Sequence, residues 1–174
     1  GIVPTASTTV QLAIGDALAI ASMKYKKFGR MDFKKLHPAG SLGAQLKTVE
    51  DIMLKGDKIP FVNQNLQMSK ALKILNEKKL GILIIRNKMR KTIGIITDGQ
   101  IRRFSQKNSK FQSLPVKKIM TKKPISIDKN ELAAKALYLM NNKRITSLIV
   151  INKKKPLIAI GILHVHTILQ SNIS

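Results

Sequence analysis

Val49-Glu50-Asp51-Ile52-Met53 returns 67 residues later as Val116-Lys117-Lys118-Ile119-Met120, and that recurrence decides how the rest of the chain is read. Ala71-Leu72 returns as Ala136-Leu137 after 65 residues, and Gly94-Ile95-Ile96 as Gly161-Ile162-Leu163 after 67 again. A spacing that shrinks by two and then recovers points to compensating changes in loop length, which surface loops absorb cheaply. Repetition of this kind identifies the folding unit before any local propensity is weighed.

Within each repeat the order of patterns is the same. Met68, Ala71, Leu72 and Leu75 fall at i, i+3, i+4 and i+7, the apolar stripe of a helix, and Ala133, Ala136, Leu137 and Met140 fall on the same stencil. Each stripe leads into a β-branched run, Ile82-Leu83-Ile84-Ile85 or Leu148-Ile149-Val150-Ile151, closed by polar turns at 87–91 and 152–156. Second strands follow at Ile93 to Ile96 and Ile158 to Leu163, then short helices from about Gly99 and about His166. A unit of roughly 60 residues is marginal alone, so the pattern predicts two units packed sheet to sheet over a shared core.

Composition sets the outer bounds. Apolar residues are 44% of the 174, with 10 Gly and 6 Pro, which predicts a globular chain of one or two domains. No apolar run approaches the roughly 20 residues of a membrane span. Gly1-Ile2-Val3-Pro4 has no basic flank, no signal-peptide pattern and no initiator Met, so a fragment of a longer protein is expected. The absence of Cys removes disulfides and thiolate metal sites and fits a reducing cytoplasm. The net charge of +23 raises nucleic acid as a partner, but with no Trp, 2 Tyr and 5 Phe there are few surfaces for stacking bases. The lysines are also scattered along the chain, so a solvated Lys-rich surface is the expectation, ahead of attraction for small anionic substrates and of nucleic acid.

The repeated order, with its Ile-Met opening and its Gly-Ile-Ile-Thr-Asp strand end, resembles the CBS domain over about 125 residues. The resemblance implies a tandem pair, 49–108 and 116–174, with a ligand cleft between the repeats that often takes adenosine nucleotides. In that family a Gly-h-h-Thr/Ser-x-x-Asp stretch contacts ribose through its Asp. Gly94 to Gln100 keeps Thr97 but has Gln100 at the Asp position, and Gly161 to Thr167 has Thr167 there. Ordinary adenosine binding is therefore not expected, and a nucleotide or nucleotide-sugar would have to be held otherwise. Asp98 is adjacent, though a helix cap is its commoner role. Arg102 and Arg103 offer guanidinium forks for phosphate, against solvated helix arginines. His164 and His166 alternate at a strand end and are expected on opposite faces, which argues against metal.

Residues 1–48 are not a third repeat. Val3 to Thr9 reads as a strand end and turn whose hydroxyls cap a helix from about Thr9 to about Lys27. Leu12, Ile14, Ala17, Leu18, Ile20 and Met23 leave that helix almost no polar face, which predicts burial inside something larger. Asp16 in its midst then needs a hydrogen-bond partner, for which the turn hydroxyls are candidates. Further on, His37-Pro38-Ala39-Gly40-Ser41-Leu42-Gly43 makes a shaped loop around one His, a residue that can move protons near neutral pH.

Pro4-Thr5-x-Ser7-Thr8-Thr9, Leu12-Ala13-x-Gly15-Asp16-Ala17-Leu18-Ala19 and His37-Pro38-x-Gly40-x-Leu42-Gly43, followed by a CBS pair, resemble the arabinose 5-phosphate isomerase family. So do Thr97-Asp98-Gly99-x-x-Arg102-Arg103 and Ile145-Thr146-Ser147. The resemblance implies that 1–48 is the C-terminal remnant of a SIS-type parallel α/β domain, preceding a regulatory CBS pair. It implies an aldose–ketose isomerase interconverting D-ribulose 5-phosphate and D-arabinose 5-phosphate, on the way to Kdo and lipopolysaccharide. Such proton transfer through an enediol needs an acid/base residue and no cofactor. His37 matches the family's proposed catalytic His, and Ser7, Thr8 and Thr9 stand where substrate would be contacted. Ala39 replaces one glycine of the loop. The family is cytoplasmic and tetrameric. The competing readings are a stand-alone CBS-pair binding module without catalysis, and a nucleic-acid binder driven by charge.

Overall fold

The computed structural model describes residues 3–36 and 40–173, without the side chains of 40–42. Two compact units divide the chain, Gly1–Leu46 and Lys47–Ser174.

The first unit is helical: α1 (Thr5–Tyr25), α2 (Arg30–Leu36) and α3 (Gly40–Gln45). The helix α1 begins four residues earlier than its sequence pattern suggested, directly after Pro4, and no side chain caps it. Ser7, Thr8 and Thr9 are thus inside the helix, not in a capping turn. The Thr8 hydroxyl donates to the carbonyls of Pro4 (2.7 Å) and Thr5 (2.9 Å), and that of Thr9 to Thr5 (3.0 Å). Backbone carbonyls of the same turn have claimed these hydroxyls, a common fate of Thr in helices, so they do not serve Asp16. Asp16 is exposed and solvated instead. All of α1 is exposed, with Leu12 72% and Leu18 64% accessible, so the burial its composition predicts is not met by these residues.

The second unit carries both repeats. In the first, β1 (Phe61–Asn63) runs parallel to β2 (Ile82–Arg86) across the helix α5 (Met68–Lys78), and β3 (Thr92–Thr97) pairs antiparallel with β2 before the helix α6 (Asp98–Ser105). In the second, β5 (Ser126–Asp128), α7 (Ala133–Lys143), β6 (Ser147–Asn152), β7 (Lys155–His164) and α8 (Val165–Gln170) follow the same order with the same pairings. The registers match as well: Thr97 opposes Ile82, and His164 opposes Ser147. The short strands β1 and β5 escape the periodicity because three residues are too few to show alternation.

A core of Ile59, Ile82, Ile84, Ile149, Ala159 and Ile162 lies between the repeats, with residues from both, as the marginal size of each unit requires. Burying a large aliphatic side chain is worth roughly 1.5–3 kcal/mol, so this shared layer is a major term in holding the pair together.

The opening motifs are exchanged. The helix α4 (Val49–Ile52) places Val49 and Met53 in the core of the second repeat with Ile127, Met140 and Leu163. Val116 and Ile119 lie in the core of the first repeat with Val62, Met68 and Leu83. Backbone bonds fix both crossings: Val49 N–H to Glu131 (2.8 Å), and Val116 N–H to Leu66 (2.8 Å). The strand β4 (Thr121–Lys122) extends the first sheet beside β3, and Leu54 bridges Ile162 in the second. The two recurring glycines now have a reason. A Cβ on Gly94 would meet the Thr121 carbonyl oxygen at 2.7 Å, and one on Gly161 would strike Met53.

Candidate functional site: the cleft between the repeats

Where β3 and β7 end and α6 and α8 begin, beside the first residues of β2 and β6, a cleft of about 730 Å³ opens between the repeats. That volume is in the range of small-molecule sites. The residues around it come in matched pairs, because the same stretch of each repeat reaches it. Lys79 and Arg144 end α5 and α7 and both line the cleft, as do Thr97 and His164.

The ends of the strands are tied back in the same way twice. Asp98 donates its N–H to the Gly81 carbonyl at 3.0 Å, and Val165 donates to Thr146 at 2.9 Å. Gly81 has φ +64°, and a Cβ there would lie 2.9 Å from the Asp98 carboxylate. Glycine serves both the left-handed backbone and the close carboxylate. The second repeat uses Thr146 and Val165 at these places and needs neither.

Of the residues singled out from sequence, Thr97, Asp98 and Arg103 line the cleft, and Arg102 does not. Arg103 follows Gly99 by four residues on α6 and shares its face, while Arg102 is turned about 100° away. Gln100 is spoken for: its amide nitrogen donates to the Ile119 carbonyl, and its amide oxygen accepts from the Thr121 hydroxyl at 3.1 Å. It therefore pins the opening motif of the second repeat to α6. Thr167 is not among the lining residues.

The two histidines correct an expectation. They line the same cleft, with ring centroids 5.0 Å apart and planes tilted by 30°. Strand alternation fails because His164 is the last strand residue and the cap of α8, and its Nδ1 accepts from the His166 N–H at 3.2 Å. Burial, and then the nearby His166, hold the His164 imidazole below its usual pKa. No cluster of three or more His, Cys, Asp or Glu able to hold a metal occurs among the described residues.

Sequence reading missed Lys79, Lys123 and Arg144. The signal was present, since Lys79 and Arg144 each follow the helix stencil at the 65-residue offset, but a lysine among 32 basic residues draws no notice. His37 lies outside the described residues. Ser7, Thr8 and Thr9 are on the exposed first turns of α1. No helix among the described residues is long and apolar enough to cross a membrane.

Comparison with known proteins gives three results. Arabinose 5-phosphate isomerase KdsD of Salmonella typhi is 38% identical over 174 residues, covering 99% of this chain and 52% of that protein. The enzyme of the same name from Francisella tularensis is 40% identical over 165 residues, 94% of this chain and 50% of that one. The chain thus spans about half the length of these relatives. Among solved structures, the CBS-pair protein CBSX2 from Arabidopsis thaliana superposes with TM-score 0.60 at 22% identity, over 72% of this chain and 93% of its own. The CBS domain pair of protein MJ0100, solved with 5-methylthioadenosine and S-adenosyl-L-methionine, gives TM-score 0.62 at 22% identity, over 71% of this chain and 94% of that one. At that identity the likeness establishes the fold. The CBS domain model matches residues 49–107 and 116–173, and with the exchanged, twice-repeated architecture it places this chain in the CBS-domain family as a tandem pair.

Proposed function

We propose that the chain is part of an aldose–ketose isomerase interconverting D-ribulose 5-phosphate and D-arabinose 5-phosphate, in which the CBS pair regulates and 1–48 belongs to the catalytic SIS domain. The observation that carries this reading is the extent of the likeness. It runs over 99% of the chain and so includes the residues ahead of the CBS pair. A likeness confined to the pair would have stopped near residue 49.

On this reading His37 is the acid/base residue that moves the proton between adjacent carbons, and Ser7, Thr8 and Thr9 contact the sugar phosphate. The exposed apolar helix α1 supports it: Leu12, Ile14, Leu18 and Ile20 form the kind of surface that further elements of an α/β domain would cover. The enzyme works in the cytoplasm as a homo-oligomer and feeds Kdo and lipopolysaccharide synthesis. The cleft is its regulatory site, with Thr97, Asp98 and Arg103 facing the ligand; Arg102, which does not line the cleft, takes no part in holding it.

The test joins this chain to the half of the Salmonella relative that it does not match. The 174-residue chain alone should turn over ribulose 5-phosphate negligibly, and the chimera should be active. His37→Asn should then lower kcat at least about a hundredfold, the usual scale of acid/base catalysis. A folded but inactive chimera, or one indifferent to His37→Asn, would overturn the assignment.

A further inference from the structure

Positions 56 and 123 are the same place in the two repeats, and both hold left-handed backbone, φ +59° at Gly56 and φ +53° at Lys123. A Cβ on Gly56 would meet nothing within 4 Å, so glycine stands there for its backbone and not for space. Lys123 adopts the same conformation without that relief, which is costly for a residue with a Cβ. The difference between the two places is the cleft: Lys123 lines it and Gly56 does not.

Lys79 and Arg144 repeat the pattern. Each is the left-handed residue that ends its helix, φ +54° and +52°, a place where glycine is the common choice. A left-handed cation also occurs at Arg90, which does not line the cleft, so the backbone alone does not carry the point. What carries it is convergence. Three such cations and Arg103 surround one cavity whose lining holds a single carboxylate, Asp98, and none of the four makes an ion pair among the described residues. Four like charges around one cavity concentrate anions within it. The usual means of reading a ribose diol, a carboxylate at position 100 or 167, is replaced by Gln100, which is tied to Ile119 and Thr121, and by Thr167 outside the lining.

Building on the reading of the cleft as a regulatory site, we propose that its ligand is a small phosphorylated compound with at least two negative charges. It is gripped by Lys79, Arg103, Lys123 and Arg144 and selected by its phosphates, with sugar and base secondary. Lys123 is the selective element, because it is the cation that the first repeat lacks at the matched place.

Calorimetry on the full chain at physiological salt, with pyrophosphate, ADP, AMP and adenosine as probes, tests this. Pyrophosphate and ADP should bind comparably, AMP more weakly and adenosine not measurably. Lys123→Gly installs the residue of position 56, so it should fold at least as well, with an unchanged or raised Tm, yet bind pyrophosphate about tenfold more weakly, the scale of one charge-assisted contact. Arg102→Ala, which removes the same charge outside the cleft, should leave affinity unchanged. Adenosine binding as tightly as AMP would overturn the ligand class while leaving the cleft as a site. Equal losses from Lys123→Gly and Arg102→Ala would reduce the effect to general charge attraction and overturn it too. No binding by any of the four probes would overturn the cleft reading itself.

Discussion

Asn63 makes the turn that leaves β1, its side-chain oxygen accepting from the Asn65 N–H at 2.9 Å. The matched residue leaving β5 is Asp128, which accepts from Asn130 at 3.0 Å in the same way and spends its second oxygen on the Lys153 N–H at 2.7 Å. One turn is neutral and the other charged, on the same backbone. The pattern recurs around the cleft, where Thr97 is matched by His164 and Gly81 with Asp98 by Thr146 with Val165, and where Lys123 lines the cleft while its counterpart Gly56 does not. Backbone positions are kept across the repeats while charge is redistributed between them. A two-fold scaffold therefore carries a one-sided site.

The comparison can be broken most severely at the recurring glycines. Gly94→Ala pushes a methyl into a backbone oxygen, and Gly161→Ala chiefly into the Met53 side chain, which can move. Gly94→Ala should cost about 3 kcal/mol and Gly161→Ala about half that, by urea unfolding, on the usual scale of overpacking. Equal costs would mean that the two exchanged motifs yield alike.

Asp128→Asn should come next, at about 1–2 kcal/mol near neutral pH, because an amide cannot accept from both N–H groups. It also carries a pH signature. Backbone bonds from Asn130 and then Lys153 hold the folded Asp128 carboxyl below its ordinary value, against the opposing effect of burial. Its contribution is therefore present above the unfolded pKa near 3.8 and is lost as pH falls through the folded one. Acid unfolding below about pH 4 should be less steep in Asp128→Asn, and identical acid limbs would contradict this.

Gly56→Lys should make the first repeat imitate the second at a cost of about 1 kcal/mol in thermal stability. Its effect on pyrophosphate binding should be nil, since position 56 is outside the cleft. His164→Thr, which copies Thr97, should change least. His164 has a lowered folded pKa, so stability is full above the unfolded value near 6.5 and falls as pH drops through the folded one. The variant should flatten the stability profile below pH 6.5, and a profile matching the parent's would assign that slope to other groups.

Much of the second unit was legible because its signals were periodic. Stripes, β-branched runs and the 67-residue offset located α5, α7, β2, β3, β6 and β7. The exchange of Val49 and Val116 between cores was not, since two repeats of the same pattern can swap equivalent segments without altering any local signal. The site was half legible. Thr97, Asp98 and Arg103 stood out through their motif, but Lys79, Lys123 and Arg144 matter through backbone conformation and convergence, which no spacing reveals. In the first unit the hydroxyls at 7–9 misled, because a Thr that can cap can equally bond back to its own helix.

The exchanged motifs also set a load path. Met53 and Ile173, near the two ends of the pair, belong to the same core, that of the second repeat, whereas the first repeat is an uninterrupted stretch closed by Val116. Lys47 is bonded to Ala133 and to the Ser171 carbonyl, again within the second repeat. Force or displacement delivered at residue 47 is therefore borne by the half that contains His164, and the half that contains Gln100 is loaded only afterwards.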